Sequence, residues 1–371
     1  MASTPSRRLF DRAGHALDGD TPRMPAASRP ARSLPALDEG GERRSDSPGI
    51  LYPGVSAGIR IFDLRLHDLL QGRRRRAQET MQSSVAALLE TLDLEQLELN
   101  LFRGRQPDER RQRVFGGQVA GQALVAAGRT VEDRGVHSLH AYFLRPGDPS
   151  IPIVYEVERT RDGRSFTTRR VTAIQHGRPI FTLSASFHVD EETFDHQATM
   201  PDVPAPEDLP DWQESMRAAL QGREDVDDET RAWVERDRAI ESRHVEFMDY
   251  FGGKQSPRAD IWIRANGELP DDPLLHQCVV AYASDMTLLD TAARPHPVQL
   301  LGNGIEMASL DHAMWFHRPL RADEWLLYSQ QSPSMSGSRG FTQGHFFRRD
   351  GVLVVSVVQE GLFRLPRRDA R

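Results

Sequence analysis

The chain has 371 residues, 38% of them hydrophobic, and a formal charge of −7, so it is long enough to bury the cores of two ordinary domains. Its acidic balance, with a pI near 6.0, gives no global reason to bind nucleic acid or an anionic membrane. No apolar run reaches the roughly 18 residues that a membrane span requires, and the single cysteine, Cys278, excludes an internal disulfide and is typical of a reducing compartment. We therefore expect a cytoplasmic protein with no membrane span and no nucleic-acid partner.

Residues 1–80 are rich in Pro, Ser, Arg, Asp and Gly and poor in large apolar side chains, which predicts a disordered N-terminal extension. Residues 54–58, GVSAG, match the G-x-S-x-G pattern of a hydrolase nucleophile elbow, but that motif requires a buried strand before it and a helix after it. Only short apolar stretches flank it here. The four arginines at 73–76 are typical of a solvated linker. Globular sequence begins near Met81, which is an alternative start to Met1.

The first half of the globular sequence combines one small-residue helix with a series of strands. The helix is predicted at 115–127, where glycines and alanines would allow another backbone to approach closely. Strands are predicted at 137–144, 153–161, 166–175 and 180–189. These elements predict a first domain at 81–190.

The second half repeats this order. Four pairs of motifs recur at offsets of 173 to 175 residues: Arg145-Pro146 with Arg318-Pro319, Gly163 with Gly337, Phe166-Thr167 with Phe341-Thr342, and Gly177 with Gly351. A helix followed by an antiparallel sheet, twice over, predicts an α+β fold in which each sheet wraps its helix. We therefore expect a second domain at 259–371, joined to the first by a proline-rich, acidic linker with surface helices at 191–258.

The second domain carries three polar side chains in apolar sequence. A helix is predicted to begin after an Asp-Asp-Pro motif, and Asp285 lies on or beside its apolar stripe, where a carboxylate is costly unless it is hydrogen-bonded or reaches solvent. Ser309 belongs to a strand predicted at 307–317, either face of which could be the inner one. Gln359 ends an apolar strand predicted at 352–359, as a partnered amide or simply as the strand's last residue.

Around these residues the sequence resembles the type II acyl-CoA thioesterases (TesB-like), which are double-hotdog proteins. The resemblance covers residues 83–364 and rests on motifs in a fixed order: Leu101-Phe-Arg-Gly104, Val114-Phe-Gly-Gly-Gln-Val119, Tyr142-Phe-Leu-Arg-Pro-Gly-Asp148, Trp262-Ile-Arg-Ala-Asn-Gly267, Tyr282-Ala-Ser-Asp285, Leu310-Asp-His-Ala-Met-Trp-Phe-His-Arg-Pro319, Glu324-Trp-Leu-Leu-Tyr328 and Val358-Gln-Glu-Gly361. It implies hydrolysis of fatty acyl-CoA to free fatty acid and CoA, and a homodimer or homotetramer. We expect no cofactor.

The resemblance also implies a catalytic trio of an Asp on the second hotdog helix, a Thr at the start of the following strand and a Gln in the last strand. Carried over to this chain, the trio is Asp285, Ser309 and Gln359, with a serine that keeps the hydroxyl of the family's threonine. The three groups would hold one water, with Asp285 as its general base or at least its orienting acceptor.

The oxyanion of the reaction needs hydrogen-bond donors. Backbone N–H groups near Gly116, Gly117 and Gln118, at a helix N-terminus of the first repeat, are the candidates for this part of the substrate-binding site. The first repeat shows no clear equivalent of the trio, so we expect one active site per chain. Arg145 and Arg318 are interpreted as structural hydrogen-bond donors, with CoA phosphate binding as the alternative.

Two other functions are compatible with the same scaffold. A hotdog enoyl-CoA hydratase would use an acid–base pair such as Asp311-His312 and would release no thiol. A non-catalytic acyl-CoA-binding protein would have no reason to keep a polar trio around a water. A metal site is not expected, because His137 and His140 have the spacing of a strand and no acidic or cysteine partner completes a zinc set.

Overall fold

The computed structural model describes residues 84–107, 112–301 and 305–365. The predictions for residues 1–80, the GVSAG motif at 54–58, the arginines at 73–76 and the start at Met81 lie outside these ranges. None of the helices in the described ranges is long and apolar enough to cross a membrane.

The first repeat wraps four long strands and two short ones around one helix. Its elements are helix α1 (84–92), strands β1 (Glu95–Glu98) and β2 (Leu101–Gly104), helix α2 (Gly116–Gly128), and strands β3 (Gly135–Phe143), β4 (Ile153–Asp162), β5 (Phe166–Gln175) and β6 (Arg178–His188). The four strands predicted here begin and end within two residues of the observed ones. Helix α2 is buried along almost its whole length, as expected for a helix enclosed by a curved sheet.

The second repeat has the same order of helix and strands, except that the strand after its helices is broken in two. Its elements are strand β8 (Arg258–Ala265), helices α5 (Pro273–Ser284) and α6 (Asp290–Ala293), and strands β9 (Glu306–Ser309), β10 (Asp311–Phe316), β11 (Leu326–Ser336), β12 (Arg339–Arg348) and β13 (Leu353–Arg364). The strand predicted at 307–317 is thus two strands, β9 and β10. The repeated glycines Gly177 and Gly351 both have positive φ, 68° and 85°, in the turns before the last strand of each repeat, which explains why both repeats keep glycine there.

The two half-sheets join into one antiparallel sheet. In the described ranges it has 13 strands in the order β1-β2-β4-β5-β6-β3-β10-β13-β12-β11-β8-β7, where β7 is Ile240–His244, and β9 pairs with β13. The junction is the pairing of β3 with β10, in which Ala313 lies opposite His140. Inside the sheet α2 and α5 run antiparallel, because Gly117 lies against Tyr282 and Gly128 against Leu274. The glycines of α2 permit this close approach, as the sequence predicted.

The segment between the repeats holds a short 3-10 helix (Pro206–Asp208), two α-helices and one strand. Helices α3 (Trp212–Leu220) and α4 (Asp228–Val234) begin at the aspartate caps Asp211 and Asp227. Strand β7 (Ile240–His244) pairs with β8 at the edge of the sheet and was not predicted. Its three central residues, Glu241, Ser242 and Arg243, are polar or charged, so it lacks the apolar alternation that predicts a strand.

Candidate active site

Asp285 is the C-terminal cap of α5. The helix starts where Asp272 accepts hydrogen bonds from the backbone N–H groups of Leu274 and Leu275, and it ends at Ser284. Asp285 follows with φ −86° and ψ 0°, so it lies one residue past the helix rather than inside the helical stripe. Its carboxylate meets the strands at Ser309 and Gln359 and the N-terminus of α2 at Gly117.

Ser309 reaches the inner face of the sheet because of a bulge. Ser309 pairs with Gly361 on β13, and Ala313 pairs with Val358. The chain therefore advances four residues from Ser309 to Ala313 but only three between their partners on β13. The extra residue, Leu310, separates the two strands. A bulge of one residue reverses the alternation of side chains, which places Ser309 on the same face as the buried His312. An uninterrupted strand would put these two side chains on opposite faces.

Gln359 lies inside β13, where it pairs with Thr342 on β12. It is fully buried, and its carbonyl accepts a hydrogen bond from Thr342 Oγ1 at 3.0 Å. The strand continues to Arg364, so the interpretation of Gln359 as the strand's last residue is wrong. A buried amide at the centre of a sheet requires partners for its side chain.

The three side chains meet in a triangle of hydrogen bonds. Gln359 Nε2 donates to Asp285 Oδ1 at 2.6 Å and to Ser309 Oγ at 2.9 Å, and Ser309 Oγ donates to Asp285 Oδ1 at 3.2 Å. Both partners of Nε2 are oxygens, one of them a carboxylate, which fixes the orientation of the amide. The other amide atom, Gln359 Oε1, is buried and has no hydrogen-bond partner within the described residues.

The N-terminus of α2 completes the surroundings of Asp285. The backbone N–H of Gly117 donates a hydrogen bond to the carboxylate. A Cβ at Gly116 would lie 2.6 Å from Asp285 Oδ2, so a larger residue there would displace the carboxylate. The helix dipole favours an anion at this end. The side chain of Gln118 instead turns away and donates to Gln106 Oε1 at 2.9 Å.

Burial is the dominant electrostatic effect on Asp285. It raises the pKa of this carboxyl to about 6, even though hydrogen bonds from Gln359, Ser309 and Gly117 act to lower it. A second carboxyl, Asp290, lies five residues further on, and burial followed by the charge of Asp285 raises its pKa to about 7. Asp290 was not among the predicted site residues, although an acidic residue next to Leu288 and Leu289 was a signal of the same kind as Asp285.

A cavity of about 490 Å³ opens onto Asp285 and Ser309. Its wall combines residues of both repeats, most of them apolar: Val119, Phe143 and Phe181 from the first, and Leu289, Met307 and Leu310 from the second. Arg113, Arg145 and Asp290 are the other charged side chains in its lining. The site is therefore an apolar cleft with one polar centre, the usual form of a small-molecule site.

Comparison with known proteins identifies the family. Residues 106–188 match the family model described as acyl-CoA thioesterase N-terminal domain, and residues 230–362 match that described as acyl-CoA thioesterase. The human acyl-coenzyme A thioesterase 8 is 44% identical over 284 residues, which cover 74% of this chain and 88% of that protein. The chain belongs to the acyl-CoA thioesterase family.

Solved structures agree with this assignment. The acyl-CoA thioesterase II TesB2 of Mycobacterium marinum is 47% identical, with a TM-score of 0.61 and coverage of 75% of this chain and 98% of that one. A hot dog fold protein of Alicyclobacillus acidocaldarius has a TM-score of 0.59 at 21% identity, with coverage of 75% and 98%, and it supports the fold alone. The predicted family, the α+β double-hotdog fold and the enzyme class, a thioester hydrolase, are confirmed.

The first repeat has no counterpart of the trio among its described residues. The C-cap of α2 is Arg129, where α5 has Asp285, and its guanidinium donates to Asp93 and to the carbonyl of Leu94. The buried Ala185 lies where the offset of the repeat places Gln359. This thioesterase family member therefore shows one such trio in the described part of the chain.

Asp311 and His312, the candidate acid–base pair of a hydratase, do not share hydrogen-bond partners. Asp311 Oδ1 accepts a hydrogen bond from the backbone N–H of Glu360 at 2.7 Å, whereas His312 Nε2 lies 2.8 Å from Ser284 Oγ on the buried face. The two side chains thus have separate partners on opposite sides of the strand. Burial lowers the pKa of His312 to about 4, so it is neutral at physiological pH. In the described ranges no three His, Cys, Asp or Glu side chains are arranged to hold a metal.

The raised pKa of Asp285 leads to a prediction about stability. Its folded-state pKa of about 6 exceeds the ordinary value of 3.8, so the folded state binds the extra proton, and stability falls as pH rises through that window. At pH 8 the ionised Asp285 should lower the free energy of unfolding by about 3 kcal/mol. We expect Asp285→Asn to gain stability relative to wild type between pH 4 and pH 8, as measured by urea denaturation. The matched substitution Asp208→Asn, at an exposed position, is the control. A difference in stability between Asp285→Asn and wild type that does not change with pH would contradict the assignment.

Proposed function

We propose that the chain hydrolyses fatty acyl-CoA to free fatty acid and CoA by activating one water molecule with Asp285, Ser309 and Gln359. The observation that carries the proposal is the triangle of hydrogen bonds, with distances of 2.6, 2.9 and 3.2 Å, at the wall of an apolar cavity. A structural role alone would not require a partly buried carboxylate with a raised pKa beside a cavity.

Each member of the trio has a separate task. Asp285, with a pKa of about 6, is mostly ionised at neutral pH and still basic enough to take a proton, which suits a general base. Gln359 Oε1, buried and without a partner among the described residues, can accept the second hydrogen of the water. Ser309 and Gln359 Nε2 hold the carboxylate in place, so the water is oriented before the substrate arrives.

The reaction then proceeds by direct attack of water. The water oxygen bonds to the thioester carbon while its proton passes to Asp285, and the carbonyl oxygen becomes an oxyanion. Collapse of this intermediate breaks the C–S bond, and the CoA thiolate receives the proton from Asp285. The carboxylate is thereby restored, and the products are the free acid and the CoA thiol.

The oxyanion would be stabilised at the N-terminus of α2. Phe115 caps this helix without a side-chain hydrogen bond, and the Val119 N–H already donates to the Phe115 carbonyl at 3.3 Å. The backbone N–H groups of Gly116, Gly117 and Gln118 are therefore the proposed donors, although that of Gly117 is shared with Asp285. Donors fixed on a helix need no reorganisation during the reaction.

Thiol release from a series of acyl-CoAs tests the function. We expect turnover of saturated acyl-CoA with one CoA thiol formed for each free acid. Hydration of an enoyl-CoA without thiol release would support the hydratase instead, and saturable binding of acyl-CoA without thiol release would support a binding protein.

Ser309 provides a graded test of the trio. Ser309→Ala removes a hydrogen bond to a carboxylate, so kcat should fall by about 10- to 100-fold and the pKa of Asp285 should rise. Ser309→Thr keeps the hydroxyl and should stay within about threefold of wild type, because only one methyl group is added. Steady-state thiol release over a range of pH measures both. Equal activities for the alanine and threonine variants would exclude a role for the hydroxyl.

A further inference from the structure

Asp290 lies close to the proposed trio but has no part in it. It is the first residue of α6, and its side chain lines the same cavity as Asp285 and Ser309. The remaining side chains on this part of the wall, Leu289 and Met307, are apolar. A carboxylate in that position is not needed to hold the trio, whose hydrogen bonds are made without it.

The carboxylate of Asp290 has no hydrogen bond and no ion pair with any described residue. The nearby cation, Arg294, is buried but directs its guanidinium to Glu246, at 2.5 Å, and to the Ser256 carbonyl, at 3.1 Å. Burial and the charge of Asp285 raise the pKa of Asp290 to about 7. Whatever fills the cavity therefore meets an unpartnered carboxyl group.

The charges of the cavity wall would orient the substrate. Arg113 and Arg145, both exposed, are on the wall that the first repeat forms. Arg145 also donates a hydrogen bond to the Pro179 carbonyl, and the two positive charges would favour the phosphates of CoA on this side. With the thioester at Asp285 and Ser309, the acyl group then points to the wall of the second repeat, where Leu289, Asp290 and Met307 lie.

Beyond Asp290, on the wall that the second repeat forms, the side chains are apolar. Leu289 packs in a cluster with Trp212, Tyr250 and Phe363, and Met307 adjoins it. An alkyl chain that extends towards this cluster must cover the Asp290 carboxyl. The alkyl chain removes solvent from the Asp290 carboxyl and offers no hydrogen bond in its place. This raises the free energy of the complex whether the carboxyl is ionised or protonated.

We propose that Asp290 is a specificity-determining residue that limits the length of the unsubstituted acyl chain accepted by the site. The inference rests on the proposed function. In an apolar channel each added methylene group should raise kcat/KM by about fourfold. In this protein the rise should stop at the chain length that reaches Asp290, and kcat/KM should decline for longer chains.

The test compares chain-length profiles from acetyl-CoA to palmitoyl-CoA at pH 8. Asp290→Leu replaces the carboxyl with an apolar group of similar size, so the ratio of kcat/KM for palmitoyl-CoA to that for butyryl-CoA should rise by about 10- to 100-fold. Asp290→Asn removes the charge but keeps a polar group, and it should raise the ratio by a smaller factor. The Asp290→Asn variant can still be measured if the leucine variant does not fold. The exposed Asp208→Leu is the matched control and should leave the ratio unchanged.

An unchanged ratio in both Asp290 variants, or a wild-type profile that rises without a break to palmitoyl-CoA, would overturn the role of Asp290. Either result leaves thioester hydrolysis itself intact. Absence of thiol release from every acyl-CoA with the wild-type protein would instead overturn the proposed function.

Discussion

Asp285→Asn should lower kcat for acyl-CoA hydrolysis by about 10²- to 10⁴-fold, the usual contribution of a general base. Asparagine has nearly the same shape and can still accept the hydrogen bonds that Gln359 and Ser309 donate to Oδ1. It cannot take a proton from water. KM should change little, because the substitution leaves the apolar wall of the cavity as it is.

Thiol release under saturating substrate measures this loss, and circular dichroism establishes that the variant is folded. Asp208→Asn, at an exposed position, should match wild type in the same assay. The Asp285→Asn variant is also expected to be more stable than wild type at pH 8, so loss of activity through unfolding is not expected. Activity within a few-fold of wild type would remove Asp285 from the mechanism.

Much of the fold follows from patterns that the sequence displays directly. The repeated motifs at offsets of 173 to 175 residues correspond to real equivalences, as the positive φ of both Gly177 and Gly351 illustrates. The small residues of α2 pack against α5 as predicted. Periodicity predicts such elements because each one buries a single face or, as with α2, nearly its whole surface.

The geometry of the site depends on irregularities that periodicity cannot show. The bulge at Leu310 decides which face Ser309 joins, and a strict alternation of side chains would have placed it opposite His312. The helix end at Ser284 decides where Asp285 points. Such local breaks are set by tertiary pairing, not by the residues alone.

Asp290 and strand β7 were not predicted for the same physical reason, because their roles depend on tertiary contacts. Asp290 interrupts an apolar stretch but belongs to no motif, and its place in the cavity lining depends on how the start of α6 packs in the folded protein. Strand β7 has charged side chains that pair with those of β8, such as Glu241 with Arg264 at 2.7 Å, and so it lacks the apolar alternation of a strand. The domain boundaries, the cytoplasmic location and the predicted homodimer or homotetramer stay predictions.

Gln359→Glu should reduce hydrolysis at pH 7 by about 100-fold or more and should move the acid limb of the pH–rate profile upwards by about two pH units or more. The new carboxylate would lie where Gln359 Nε2 now donates to Asp285 at 2.6 Å. Two carboxyl groups at this distance share one proton, so the pKa of Asp285 rises from about 6. The base is then protonated at pH 7 and becomes ionised only in alkaline solution.

The pH dependence separates this electrostatic effect from simple damage to the site. Gln359→Met removes the donors without adding a charge, so its kcat should be low at every pH, whereas Gln359→Glu should recover partly as pH rises. Gln221→Glu, at an exposed position outside the cavity lining, adds the same charge and should keep the wild-type profile. If the acid limb of Gln359→Glu stays near pH 6, the amide does not act on the base, and the trio is reduced to Asp285 and Ser309.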